Sequence, residues 1–371
     1  MNFYIFNFKK NRNKKCFLLF FASLLVCYLA VNFMIAAYEE RKTTPTSYVD
    51  IITSKYKHLQ MNHPKNTLEI VFIGSSRSYF HIDTASLTKK GLPSYNLSML
   101  ACFPLSFPSM IENAKKVSPK TIGLGVDVDY FFNDFETRIP TPGIEDIQAQ
   151  FSTKVGTELF ARTVFDYIEK IPPLSRYSTT IATKIQSIFD RVTSTYFTAP
   201  SNSGLISTQE HDEPTFDTDN KIFQVQKLKD KYYSVKCENG DGILFGSLLT
   251  GNATAFDKKS QNKTIRKKNV EFMNYLISLA QKNGTNVFVY LCANTGSPTQ
   301  FDLDELRSKL KAPVIDTVHI IPESSYFWGD TGHLNSNGRK LYTETLLDKI
   351  GKLDFYKKDS FAKPQDSILP Q

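Results

Sequence analysis

The chain has 371 residues, 41% of them hydrophobic, with 29 Phe and 18 Tyr, which excludes global disorder and allows one large domain or two modest ones. Its net charge is +8, but Lys9, Lys10, Arg12, Lys14 and Lys15 all precede the first acidic residue, Glu39, and removing these five from +8 leaves +3 on everything else. That near-neutral remainder excludes a nucleic-acid-binding surface as the source of the basic balance.

Residues 1–15 read as a basic cytoplasmic tail. The next 22 residues, Cys16 to Ala37, carry no charge. At about 1.5 Å rise per residue they span roughly the 30 Å hydrocarbon core of a bilayer. Positive residues lie before this run, and Glu39 and Glu40 follow it. The expectation is a transmembrane anchor over 16–38 with its N-terminus in the cytoplasm. A cleaved signal peptide fits less well, because Ile35 departs from the A-x-A pattern and the apolar run is long for one. Cys27 follows Leu24-Leu25-Val26, a poor lipobox because Val26 stands where a small residue belongs.

Residues 39–66 read as a polar linker. A βα rhythm begins after it, with a strand at Leu68 to Ile73, helix formers over "IDTASLTKKG" closed by Gly91, and a short strand at Ser94 to Ser98. A helix from about Leu105 to Val117 stops at Pro119, and Thr121 to Val128 reads as a strand apolar on both faces. Residues 132–259 break the rhythm and read as a large insertion with helical pieces at 155–171 and 181–192. The rhythm resumes with a helix whose Val270, Phe272, Met273, Leu276, Ile277 and Leu279 recur at helical spacing before Gly284. A strand at Asn286 to Cys292, a helix near Leu303 to Leu310, the short strand "APVIDT" and a last helix from Ser336 follow, with a tail over 351–371. Strands alternating with helices predict an α/β fold with a short parallel sheet. Ligands then sit at the carboxyl ends of the strands.

Two short stretches carry chemistry. "VFIGSSRSYF" ends a strand at Gly74 and places Ser75, Ser76 and Arg77 in the turn that follows. Such a turn suits a nucleophile with backbone donors beside it, and it suits equally an ordinary helix N-cap. "FWGDTGHLN" places Asp330 and His333 three residues apart in a glycine-rich loop. A serine hydroxyl needs a base, and the base needs a partner that fixes its tautomer. The alternative is a turn capped by Asp330 ahead of the last helix. Arg77 is suited to a substrate carboxylate or phosphate, or to an ion pair with Asp83 or Asp129 that holds the turn. "VDVDYFFND" lacks the spacing of a calcium loop. The other histidines have no metal-ligand spacing. Cys102, Cys237 and Cys292 form no C-x-x-C pair, which argues against zinc and leaves room for at most one bridge. No metal or cofactor is expected.

Together, "FIGSSRSYFHIDTASLTKKGLPSYNLSMLACFP" and "GDTGHLNSNGRKLY" resemble the SGNH (GDSL-like) hydrolase superfamily. Its membrane-anchored bacterial branch, with the D-alanyl transfer and alginate acetylation proteins, is the most similar part. The resemblance covers roughly 67–130 and 265–350. It implies a three-layer α/β/α domain over 67–350, with Ser76 as nucleophile, His333 as base and Asp330 as its partner. The second block, counted from Asn96, puts the oxyanion-hole glycine at Ala101. The third, Gly-x-Asn, falls on Gly125-Val126-Asp127, where an acidic side chain replaces a donating amide. The resemblance further implies a membrane-anchored, extracytoplasmic serine esterase or O-acyltransferase. Its expected partners are an acylated glycan or cell-surface polymer and a multi-pass membrane acyltransferase, with no nucleic acid. The competing expectation, resting on Asp127, is a catalytically impaired glycan-binding or assembly module.

Overall fold

The computed structural model describes residues 48–133, 145–146, 148–149, 216, 218, 220–229, 231–249, 264–295 and 301–357, together with 23, 26–28 and 30. Contacts divide the chain into two units, Met1–Thr46 with Tyr167–His211, and Ser47–Asp166 with Asp212–Gln371. In the first unit the described residues all lie between 23 and 30 and are helical. The rest of the anchor expected over 16–38 falls outside the described residues, as do the helical pieces expected at 155–171 and 181–192. Among the described residues no helix is long and apolar enough to cross a membrane.

The second unit opens with α1 (Tyr48–Asn62), within the stretch expected to be a linker. It has no internal Gly or Pro and stops before Pro64, which disfavours helical backbone at the residue ahead of it. Leu59 is fully buried in the main core, and Lys55 is buried too, donating from Nζ to the carbonyls of Asn96 (3.1 Å) and Ser98 (2.5 Å). The segment reads as polar because its buried face includes a lysine, Lys55. That lysine reaches two backbone acceptors and the Tyr79 ring, 4.4 Å away.

Next come β1 (Ile70–Ile73), α2 (Ser76–His81), α3 (Thr84–Lys89) and β2 (Ser94–Asn96). They are followed by α4 (Phe107–Lys115) and β3 (Thr121–Val126). After the insertion come α5 (Lys267–Ala280), β7 (Asn286–Leu291), α6 (Leu303–Lys309), β8 (Val314–Asp316), α7 (Ser336–Ile350) and α8 (Asp354–Lys357). The strands β1, β2, β3, β7 and β8 form one parallel sheet in the order β2-β1-β3-β7-β8. Alternation along each strand divides the core in two. Val71, Ile73, Ile122, Leu124, Val287 and Val289 pack with α4 and α5. Ile70, Phe72, Phe288, Tyr290 and Ile315 pack with Tyr342, Leu346 and Ile350 of α7. Both faces are therefore covered by helices, as parallel strands require. The tail expected from 351 is part of this packing as far as Tyr356, which is buried and donates to Thr121 Oγ1 at 3.0 Å.

Within 132–259, where only helical pieces are expected, the structure holds a second sheet. It is an antiparallel meander of β4 (Ile222–Lys229), β5 (Tyr232–Cys237) and β6 (Gly242–Phe245). The signal for it was Asn239-Gly240 between two apolar stretches, the strongest short hairpin marker, with Gly240 at φ +85°. Cys102, Cys237 and Cys292 are buried and free, so the bridge allowed for them is absent.

Candidate active site

In this strand order the chain leaves β1 toward β2 on one side and returns to β3 on the other. The crevice of such a sheet lies where the order reverses, outside the carboxyl ends of β1 and β3. Gly74 to Arg77 follow β1, and Asp127 follows β3. The turn after β1 and Asp127 therefore meet at the place the topology reserves for a ligand.

The turn after β1 is fixed by close packing. Ser78 of α2 lies against Gly74 and Gly125, so tightly that a Cβ at either glycine would overlap its hydroxyl. Its Oγ meets Cys292 Sγ at 3.3 Å. The two serines ahead of it separate cleanly. Ser75 is the N-cap, accepting from the Arg77 N–H at 3.3 Å, while Ser76 is the first helical residue and its hydroxyl is left for other work.

That hydroxyl meets His333. Ser76 Oγ and His333 Nε2 are 2.8 Å apart, across 257 residues of sequence. The other ring nitrogen, Nδ1, is 2.9 Å from Asp330 Oδ1 and 3.0 Å from Oδ2. The loop that carries both is tied down at several points. Asp330 Oδ1 also accepts from the backbone N–H groups of Gly332 (2.8 Å) and His333 (2.9 Å), folding the loop on itself. Trp328 and Leu334 bridge its two ends, and the buried Trp328 indole donates to Pro322 O at 3.0 Å. Asn335 caps α7 just beyond, accepting from Asn337 and Gly338. Thr295, after β7, bonds the Thr331 carbonyl. The Phe80 ring stands edge-on to His333, with centroids 5.2 Å apart.

Burial works to raise the Asp330 carboxyl, but the hydrogen bonds from the His333 ring and from the Gly332 and His333 backbone outweigh it. The carboxyl is held below its ordinary value, ionised beside the imidazole. His81, on the last turn of α2, lies buried between Trp328 and Tyr342. Burial first, then the nearby His333 and Arg77, push its pKa well down, so it packs as a neutral ring.

The remaining expected site residues fall out differently. Asn96 is fully buried, donating from Nδ2 to the carbonyls of Ser78 (3.1 Å) and Tyr79 (3.3 Å) and accepting from the Ser98 N–H. It locks β2 to α2. Ala101 is exposed in the loop after β2 at φ 49°, a left-handed conformation that favours glycine. Arg77 forms its ion pair with Asp127, correcting the choice between Asp83 and Asp129. Asp83 instead caps α3 and faces Arg339, while Asp129 adds only a weaker field at Arg77.

The insertion contributes residues that sequence alone did not mark. Tyr232 OH lies 3.4 Å from Asp330 Oδ2, and the Leu248 N–H donates to Gly329 O at 2.7 Å. Their signal was confined to tertiary placement, since nothing local distinguishes Tyr232 from Tyr233. Comparison of the chain with family models, with curated proteins and with solved structures finds no match.

Proposed function

We propose that this chain is a serine esterase or O-acyltransferase of SGNH-like, three-layer α/β/α type, acting on acyl esters of a cell-surface glycan or polymer. The observation that carries the reading is the 2.8 Å contact between Ser76 Oγ and His333 Nε2, with Asp330 on the far side of the ring. In the proposed reaction Ser76 Oγ attacks the ester carbonyl carbon and its proton passes to His333 Nε2. The carbonyl π pair moves onto oxygen. The tetrahedral adduct then collapses, the bond to the leaving alcohol breaks, and His333 returns the proton to the leaving oxygen. Water (esterase) or a sugar hydroxyl (transferase) repeats the sequence in reverse on the acyl-enzyme. Asp330 keeps the proton on Nδ1, so that Nε2 faces the serine as a base.

The uncharged run from Cys16 to Ala37 behind a basic tail supports an N-terminal membrane anchor with the catalytic unit outside the cytoplasm. A multi-pass membrane acyltransferase would then be the natural donor of the acyl group. Asp127, where the family pattern has an amide, supports the second reading, a catalytically impaired glycan-binding or assembly module. One experiment separates the two. A fluorophosphonate probe on the purified full chain should label the wild type and leave Ser76→Ala at background. Equal labelling of both, or of neither, removes the basis for an activated Ser76.

A further inference from the structure

The mechanism above needs a donor for the oxygen that becomes negative during attack, and the expected amide is missing. Arg77 pairs with the residue that stands in the place of that amide. It follows Ser76 directly, and its guanidinium runs to the carboxyl end of β3, where Nη1 pairs with Asp127. The second terminal nitrogen, Nη2, faces the catalytic loop: a Cβ built on Gly332, between Asp330 and His333, would lie 3.8 Å from it. The side chain is 22% exposed, so it is neither sealed in the core nor free in solvent. Its buried Nε, and the buried Oδ1 of Asp127, have no hydrogen-bond partner. Burial opposes the guanidinium charge, but Asp127 more than offsets this, and the group stays protonated.

We propose that Arg77 is the charged donor to the reacting acyl oxygen, and that Asp127 is the positioning residue that holds it across the crevice. This rests on the acyl-ester reading of Ser76. The Asp127 charge, repulsive toward an oxyanion if alone, is then neutralised by its partner. A guanidinium carries five N–H donors in a fixed fork, so pairing with one carboxylate leaves donors over. When the Ser76 Oγ–carbon bond forms and the carbonyl pair moves onto oxygen, those donors meet the new charge. They release it unchanged when the bond to the leaving group breaks.

The test uses the full chain with an uncharged 4-nitrophenyl acyl ester. Removing one oxyanion donor costs about 10²–10³ in turnover. Arg77→Ala should therefore lose about 100-fold in kcat with KM little changed, and added guanidinium ion should restore part of the loss. The double variant Arg77→Ala/Asp127→Ala leaves no lone carboxylate, adds no amide donor and guards against misfolding; it should show the same loss and the same rescue. A rise in KM alone, turnover of either variant at the wild-type rate, or a loss that guanidinium does not touch in the folded double variant would overturn the role of Arg77 and leave Ser76 standing. Fluorophosphonate labelling of wild type no stronger than of Ser76→Ala would instead overturn the reading beneath it, and this proposal with it.

Discussion

Two arginine–aspartate pairs in this chain sit in contrasting surroundings. Arg339 of α7 and Asp241, in the turn before β6, are sealed, with side chains 3% and 0% exposed. Arg339 also donates from Nε to Ile82 O at 2.9 Å, and it lies 3.5 Å from Asp83. Asp241 Oδ2 collects further donors from the Thr84 N–H, the Thr84 hydroxyl and Asn239 Nδ2, each at 3.0 Å. Arg77 and Asp127 are half-buried and, among the described residues, bonded chiefly to each other. The first pair fastens the inserted meander to the starts of α3 and α7. The second fastens nothing of comparable extent. A buried pair that joins three elements is a staple, whereas one at the mouth of a crevice with unused donors is available to a ligand.

That contrast is open to measurement, and its largest expected effect is on stability. Asp241→Ala strands a buried guanidinium and should cost about 3–5 kcal/mol in denaturant unfolding, while Asp127→Asn, at a side chain 21% exposed, should cost less, about 1–2 kcal/mol. Similar losses for the two would erase the distinction between staple and donor.

Lys55 offers a subtler check, because it too is buried but has no carboxylate in contact. Burial pulls its pKa down to about 7, with Asp241 only partly offsetting this. Above pH 7 the folded lysine is neutral while the unfolded one keeps its proton up to about 10.5, so the unfolded state binds more protons. Stability should therefore rise from about pH 7 toward 10, and Lys55→Met should remove that rise relative to wild type. A pH slope identical in both would mean that Lys55 is solvated in the folded state.

The smallest effect is expected at Tyr232. Its contact with Asp330 is long, so Tyr232→Phe should change turnover by no more than a few-fold, about 1 kcal/mol at most. A larger loss would move Tyr232 from bystander to working support of the loop that carries Asp330 and His333.

The parallel sheet was legible because its central strands are short apolar runs flanked by helix formers. β1, β3 and β7 lie within a few residues of where their β-branched runs suggest. Ser76, Asp330 and His333 were legible because glycine-rich turns and a D-x-x-H spacing are local features. What stayed hidden was tertiary. Nothing near Arg77 in sequence points to Asp127, 50 positions on, and Asp83 and Asp129 are equally plausible neighbours until the sheet order is known. Asn96 looked like a site residue by its position at the end of β2, yet its amide is consumed by α2 carbonyls. Helix α1 escaped because its buried face includes a lysine, a residue type that pattern reading assigns to solvent. The meander escaped although Asn239-Gly240 marks its turn, because the surrounding Ser-, Thr- and Asp-rich stretch reads as loop.

The packing of Ser78 into the notches at Gly74 and Gly125 has a consequence for how such a chain can diverge. Alanine at position 74 meets Ser78 at once, and removing the Ser78 side chain still leaves the Gly125 carbonyl 3.1 Å away. Alanine at 125 meets both Ser78 and the Tyr290 ring. These positions are therefore reachable only by concerted change, and single-step drift through them is closed. Ser76 and Arg77 lie outside that lock. A lineage built on this backbone can exchange the residues this turn presents while the turn itself stays fixed.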